Sequence, residues 1–141
     1  MNKPVIIVCD NDDGPKGGLF SVAKNISKRE ISIETTDMFY NLYENLYLVK
    51  TPENGDKFTS IEDLFPDSVL RTKLSGKTFD STNNSDPNTT YGKAYFADYV
   101  VSPNWKTIDF SGFDSLLDRV VACIADYRSK SEEAEGPVEA A

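Results

Sequence analysis

The sequence of 141 residues contains no histidine and only two cysteines, Cys9 and Cys123. Histidine is the most common acid–base catalyst, and zinc sites are built mainly from Cys and His. These absences exclude a zinc site and any His-based mechanism. The two cysteines lie far apart in the sequence, and we expect them to be buried small hydrophobes in a reducing cytoplasm rather than a disulfide. Any catalysis must therefore rest on carboxylates, Lys, Tyr or a metal ion.

Long apolar runs are also lacking, since no stretch approaches the length of a membrane span. The opening Met1-Asn2-Lys3-Pro4 does not resemble a signal peptide. These features predict a cytoplasmic protein without a membrane partner. The formal net charge of −8 argues against unaided binding of nucleic acid. Residues 131–141 carry four Glu and no base, which predicts one domain over residues 1–130 followed by an acidic disordered tail.

The opening apolar run, Pro4-Val5-Ile6-Ile7-Val8-Cys9, leads directly into an acidic turn. A short apolar run without alternation is typical of a strand buried on both faces, as in the parallel sheet of an α/β protein. Asp10, Asp12 and Asp13 follow the carboxyl end of this strand, where open α/β sheets bind ligands. Carboxylates so close together in the sequence repel one another, and a divalent cation that they share relieves the repulsion. The pattern predicts an Mg²⁺ or Mn²⁺ site at Asp10 and Asp12, with a plain acidic turn and helix cap as the alternative.

The rest of the chain predicts an alternation of strands and helices. We expect a buried strand over residues 46–49 and a long polar loop over residues 75–90. The tripeptide Asn-Leu-Tyr occurs twice within residues 41–47, which suggests a strand that bends or bulges. Helices are predicted over residues 19–28, 60–74 with a break at Pro66, 91–101, and from Ser111 or Asp114 onward.

Two of these helices carry apolar stripes at helical spacing, which predicts that these faces are buried. The stripe of the first helix contains Leu19, Phe20, Val22, Ala23 and Ile26, and that of the last contains Phe113, Leu116, Leu117, Val120, Val121 and Ile124.

Several segments, taken together and in order, resemble a known family. The opening strand with Asp10-Asn11-Asp12-Asp13-Gly14 resembles the Asp-x-Asp motif of the Toprim (topoisomerase–primase) fold. Over residues 3–128 the chain is similar to the C-terminal Toprim-type region of retron reverse transcriptases that carry a fused effector. The further segments that support it are Phe39-Tyr40-Asn41-Leu42-Tyr43, Leu48-Val49-Lys50-Thr51-Pro52, Glu62-Asp63-Leu64-Phe65-Pro66, Lys77-x-Phe79, Tyr91-Gly92-Lys93 and Ile108-Asp109-Phe110.

The resemblance implies a Toprim-like α/β fold with a mostly parallel sheet flanked by helices. It also implies a metal-dependent nuclease that cleaves DNA or RNA in antiphage defence, with Asp10 and Asp12 as the metal-binding pair. Glu62 is similar to the later acidic residue that overcoming-lysogenization-defect nucleases carry before a helix. Lys93 resembles the basic residue that those nucleases place near the scissile phosphate. From the residues alone, Glu62 is equally well explained as an exposed residue of a first helical turn, and Lys93 as a solvated charge.

The sequence departs from the family at its start. Toprim domains carry a Glu on a strand well before the Asp-x-Asp motif, whereas none of the nine residues before Asp10 is acidic. The Tyr-x-Asp-Asp motif of the polymerase is also missing. The chain therefore resembles the C-terminal fragment of an RNA-directed DNA polymerase, with an N-terminally incomplete sheet.

Two functions follow from these expectations. The first is an Mg²⁺-dependent phosphodiesterase module. The second is a catalytically inactive binding or regulatory module that docks on the reverse transcriptase region, in cis or in trans, or on its small msDNA. A haloacid-phosphatase-like domain is disfavoured because Gly14 follows Asp13 where that motif needs Thr or Val.

Overall fold

The structure, a computed structural model, describes residues 3–14, 17–55, 57–82 and 86–136. The chain is a mixed α/β protein that divides into two compact units. The first unit comprises Met1–Ile61 and Asp114–Ala141, and the second comprises Glu62–Phe113. Both boundaries lie inside the range 1–130 that the sequence analysis treats as one domain.

The first unit contains a three-stranded sheet of β1 (Val5–Cys9), β2 (Tyr40–Tyr43) and β3 (Leu46–Lys50), in the order β1-β3-β2. β1 runs parallel to the central strand β3, whereas β2 is antiparallel to it. β2 and β3 form a hairpin, and the register shifts between Asn41 and Tyr43. The predicted strand over residues 46–49 and the predicted bulge are both confirmed, although the repeated Asn-Leu-Tyr spans two paired strands rather than one.

Two helices enclose this sheet. α1 (Gly18–Ser27) buries Phe20 and Ala23 in one core with residues of β2 and β3. α5 (Asp114–Glu135) contacts β3 through the opposite face, where the Tyr47 hydroxyl donates a hydrogen bond to Asp126. None of the helices within the described ranges is both long enough and apolar enough to cross a membrane.

The expectation that β1 is buried on both faces is wrong. Val5 is 52% exposed and Val8 is 44% exposed. The physical reason is strand order: within the described residues β1 pairs only with β3 and forms an edge of the sheet. An apolar run alone does not distinguish an edge strand from a central one.

The predicted apolar stripes of α1 and α5 are only partly buried. In α1 the helix buries Phe20 and Ala23, and in α5 it buries Leu116 and Cys123, so each buried face is narrower than the apolar stripe. The predicted core residues that the structure leaves at least 40% exposed are Leu19, Val22, Ile26, Leu117 and Val121.

The second unit consists of short elements around an aromatic core. α2 (Asp67–Leu70) follows Pro66, and β4 (Thr78–Phe79) pairs in parallel with β5 (Thr90–Tyr91). α3 (Lys93–Tyr95) continues through a π-helical segment (Phe96–Val101) into α4 (Ser102–Asn104). The predicted loop over residues 75–90 therefore contains β4. The predicted break at Pro66 is confirmed, with the 3₁₀ turn Ile61–Leu64 before it and α2 after it, although α2 ends at Leu70 rather than at residue 74. The core of this unit is built around Phe65, Phe79, Tyr91, Phe96 and Val100.

α5 extends to Glu135 and so includes the first residues of the predicted acidic tail. Residues 137–141 lie outside the described residues. Cys9 and Cys123 are both free thiols. Cys123 is buried, as predicted, whereas Cys9 is only half-buried because β1 is an edge strand.

Candidate functional site

The turn after β1 presents two carboxylates on one side of the chain. Between them, Asn11 is completely buried and forms an antiparallel bridge to Thr59, with N–O distances of 2.8 and 3.1 Å. Because side chains alternate along extended backbone, burial of Asn11 directs Asp10 and Asp12 to the opposite side. Asp12 is exposed, and Asp10 is half-buried and accepts a 2.9 Å hydrogen bond at Oδ1 from the backbone N–H of Ile61.

Glycine is required in the segment that joins this turn to α1. Gly14, Gly17 and Gly18 all have positive φ values, of 52°, 80° and 48°. A Cβ atom on Gly18 would lie 3.1 Å from the carbonyl oxygen of Asp13, a tight contact that adds to the strain of the positive φ. A cavity of about 280 Å³ opens here, with Asp13, Gly17 and Lys24 in its wall.

A buried lysine holds the turn through a hydrogen bond to Asn11. Lys50, at the end of β3, is completely buried, and its Nζ donates to Asn11 Oδ1 at 3.0 Å and to the carbonyl oxygen of Ser32 at 2.7 Å. The same ammonium lies 3.2 Å from Glu53 Oε1. Asn11 in turn donates from Nδ2 to the carbonyl oxygen of Ile33 at 3.0 Å. The side chain between the two candidate ligands is thus fixed on both its oxygen and its nitrogen.

Arg119 of α5 completes this buried charge network. Its two terminal nitrogens bind Glu53 in a bidentate pair at 3.1 and 2.7 Å, and one of them also donates to the carbonyl oxygen of Lys50 at 3.1 Å. Bidentate pairs of this kind are geometrically specific as well as strong. Two buried cations, Lys50 and Arg119, therefore share one half-buried carboxylate, Glu53, which leaves a net positive charge next to the acidic turn.

The local electrostatics follow from this arrangement. Burial lowers the pKa of Lys50, and Glu53 partly offsets that effect. Burial alone would raise the pKa of Glu53, but hydrogen bonds from Arg119 and Lys50 hold it below its ordinary value. Burial, followed by the charges of Asp10 and Asp12, raises the pKa of the Cys9 thiol to about 11. The Cys9 thiol therefore stays protonated at neutral pH.

The donor set at Asp10 and Asp12 fits a hard divalent cation. Carboxylate oxygens are the ligands that Mg²⁺ prefers, and Mg²⁺ is commonly held by one or two carboxylates with waters and substrate oxygens completing its shell. Within the described ranges, no group of three or more His, Cys, Asp or Glu side chains converges as a metal site. A cation here would take at most a carboxylate pair from this part of the chain, and water or phosphate oxygens would supply the rest.

The two residues predicted to act at a scissile phosphate lie in the second unit and form an ion pair. Lys93 Nζ lies 3.1 Å from Glu62 Oε2, and the side chains are 43% and 14% exposed respectively. Among the described residues, this buried Glu62 oxygen has no hydrogen-bond donor of suitable geometry. The structure therefore brings Glu62 and Lys93 together, while Asp10 and Asp12 belong to the first unit.

Sequence reasoning missed the Lys50 network. One signal was present: Lys50 directly follows the apolar run Leu46-Tyr47-Leu48-Val49, and a Lys at the end of a buried strand needs a buried partner. Glu53 is three residues away and could have been named as that partner, but nothing local points to Asn11 or Arg119.

Comparison with known proteins adds no assignment. No protein-family model matches the chain, and no solved structure matches it.

Proposed function

We propose that this chain is a Toprim-like module of a retron-type reverse transcriptase that cleaves phosphodiester bonds of nucleic acid with the help of Mg²⁺ or Mn²⁺. The observation that carries the proposal is the pair of carboxylates at the carboxyl end of β1, held in place by the buried Asn11 between them. The parallel pairing of β1 with β3 puts this pair where α/β sheets bind ligands. The sequence resemblance over residues 3–128 supplies the family.

In this proposal Asp10 and Asp12 hold the cation, which when bound polarises a phosphoryl oxygen and lowers the pKa of a bound water. The chain's own residues position that chemistry. The Ile61 N–H fixes one Asp10 oxygen and so orients the other. The buried Lys50 reduces the repulsion between the two carboxylates, because its positive charge lies directly behind Asn11. Glu62 and Lys93, an ion pair of the second unit, are proposed as the further acidic and basic residues of the reaction, as the sequence resemblance implies.

Metal binding is the first test, by calorimetric titration of the whole chain with MgCl₂ and with MnCl₂. The variant Asp10→Asn/Asp12→Asn should lose the binding heat. A matched control, Glu132→Gln/Glu133→Gln, removes the same two negative charges from exposed positions of α5 and should bind like the wild type. Equal binding by all three proteins would reject Asp10 and Asp12 as ligands.

Cleavage is the second test, with single-stranded DNA, duplex DNA and RNA as separate substrates in Mg²⁺. We expect Asp10→Asn/Asp12→Asn to abolish cleavage. Glu62→Gln and Lys93→Met should each reduce cleavage while the calorimetric metal affinity stays unchanged, because these residues lie outside the unit that contains the carboxylate pair. A loss of metal binding in either variant would contradict the separate roles.

A second candidate function is the catalytically inactive binding or regulatory module that docks on the reverse transcriptase or its msDNA. Two observations favour it. The described residues provide no third acidic ligand, and Lys93 is already neutralised by Glu62 at 3.1 Å. Metal binding that depends on Asp10 and Asp12, without cleavage of any of the three substrates, would support this second function over the first.

A further inference from the structure

The second unit contains an open cleft of about 550 Å³ beside two stacked tyrosines. The residues that line this cleft all belong to the second unit, whereas the carboxylate pair belongs to the first. Its wall includes Leu74, Ser75, Lys77, Tyr91, Tyr95 and Tyr99.

One wall is aromatic and accessible. The rings of Tyr95 and Tyr99, four residues apart on the helix, have centroids 5.5 Å apart and planes inclined by 28°. Each tyrosine is 60% exposed, so the pair leaves ring surface open to solvent. Tyr91 differs, since it is buried and its hydroxyl donates to the carbonyl oxygen of Thr72. Tyr99 lies on the π-helical segment, a distortion that is frequent at functional sites.

The other wall carries positive charge. Leu74 and Lys77 exchange backbone hydrogen bonds of 3.0 and 2.9 Å across a two-residue turn, in which Ser75 and Gly76 have φ values of 50° and 79°. Positive φ at both central residues is the signature of a tight type I′ turn. Lys77 Nζ donates to the carbonyl oxygen of Pro87 at 2.6 Å. An ammonium group has three donors, and among the described residues this is the hydrogen bond that Lys77 makes, which leaves further donors for a ligand.

The sequence around this turn is locally basic in an acidic protein. Residues 68–79 include Arg71, Lys73 and Lys77 but no acidic residue, whereas the whole chain has a net charge of −8. A ligand suited to this cleft therefore combines flat rings with negative charge. Open tyrosine rings beside cations are the combination with which proteins bind single-stranded nucleic acid, whose bases stack on the rings while its phosphates meet the cations.

We propose that the Tyr95–Tyr99 cleft binds single-stranded nucleic acid. Duplex is disfavoured because its bases are already stacked on one another and cannot reach the rings. Oligoproline can also dock on aromatic grooves, but it is uncharged and would bring no negative charge to Lys77. This site goes beyond the proposed function and does not depend on it, since stacking and phosphate contact require neither a metal ion nor cleavage.

The test is fluorescence anisotropy of the whole chain with a labelled dT₁₂ oligonucleotide at low salt in EDTA. Tyr95→Ala/Tyr99→Ala should weaken binding by about tenfold or more, given about 1–3 kcal/mol per stacked base. Tyr95→Phe/Tyr99→Phe keeps the rings and should stay close to wild type. Tyr43→Ala is the matched control, because Tyr43 is 64% exposed but lies in the first unit. Lys77→Gln should reduce the dependence of binding on salt concentration.

Three further arms decide the ligand. An abasic 12-mer should bind at least about tenfold more weakly than dT₁₂, because it offers phosphates but no rings. A labelled decaproline should not bind. The Asp10→Asn/Asp12→Asn variant should bind dT₁₂ as tightly as the wild type, so that failure of the metal site and failure of this site are distinguishable. Equal binding of the abasic strand, preferential binding of decaproline, or no effect of Tyr95→Ala/Tyr99→Ala would each overturn the proposal.

Discussion

Lys50 Nζ lies 3.0 Å from Asn11 Oδ1, and this buried hydrogen bond joins the end of β3 to the turn that follows β1. Asn11 is the residue between the two candidate metal ligands, so the position of the Asp10 and Asp12 carboxylates depends on a contact inside the protein. Since Lys50 also faces Glu53, the same ammonium connects the acidic turn to the Arg119 pair on α5. The position of the turn is therefore coupled to the packing of both the sheet and the last helix.

Replacement of this ammonium should destabilise the protein. We expect Lys50→Met to lower the free energy of unfolding by about 3 kcal/mol, because it leaves Asn11 Oδ1 and the Ser32 carbonyl without their donor. The loss should stay at the lower end of the range for broken buried pairs, since Arg119 still neutralises Glu53. Urea denaturation monitored by circular dichroism measures this loss.

The control for this variant is Lys57→Met, which removes an ammonium from an exposed position of the same unit. It should change the stability by less than about 0.5 kcal/mol. Equal effects of the two substitutions would show that Lys50 is not part of a stabilising network.

Acid should destabilise the first unit through its paired carboxylates. The pKa of Glu53 and that of Asp126 are both held below their ordinary values of 4.5 and 3.8. A carboxyl group whose folded-state pKa is depressed contributes its full stability above the unfolded pKa and loses it as the pH falls toward the folded value. The urea midpoint should therefore be flat from pH 7 to about pH 5 and fall steeply below about pH 4.5.

A substitution of Asp126 tests whether this carboxylate contributes to the loss of stability in acid. Burial would raise its pKa, but hydrogen bonds from Lys130 and Tyr47 outweigh that effect. Asp126→Asn should therefore make the stability fall less steeply below pH 4 than in the wild type. An identical slope in wild type and Asp126→Asn would exclude Asp126 from the acid transition.

The sequence predicted features that depend on residues close together in the chain. It missed features that depend on strand order or on contacts between remote residues. The run at residues 46–49 identified β3, and the apolar run before Asp10 identified the end of β1 and with it the carboxylate pair. The exposure of Val8 was missed because the edge position of β1 depends on which strands pair. The Lys50 network was missed because two of its partners are remote, with Asn11 39 residues away and Arg119 69 residues away. The resemblance named Glu62 and Lys93 separately, but their ion pair was visible only in three dimensions.

The hydroxyl of Tyr47 should contribute measurably to the packing of α5 on β3. It donates a 2.9 Å hydrogen bond to Asp126 Oδ2 from a side chain that is completely buried. Tyr47→Phe should cost about 1.5 kcal/mol in the free energy of unfolding, as expected for a hydrogen bond to a charged group. Tyr43→Phe is the matched control, because Tyr43 is 64% exposed and should tolerate the change. Equal stabilities of the two variants would show that the Asp126 contact adds nothing.

A single glycine should determine whether the second unit can pack. A Cβ atom on Gly112 would lie 2.1 Å from the carbonyl oxygen of Leu64 and 3.1 Å from its carbonyl carbon. Both atoms belong to the backbone, so Gly112→Ala requires the chain to move and should cost about 2 kcal/mol or more. Gly92→Ala is the matched change in the same unit, because its φ of −96° suits any residue and a Cβ atom there would meet nothing within 4 Å. Thermal unfolding should therefore show a lower midpoint for Gly112→Ala and a midpoint near wild type for Gly92→Ala. A Gly112→Ala midpoint equal to that of Gly92→Ala would mean that Leu64 and Gly112 do not approach each other this closely in solution.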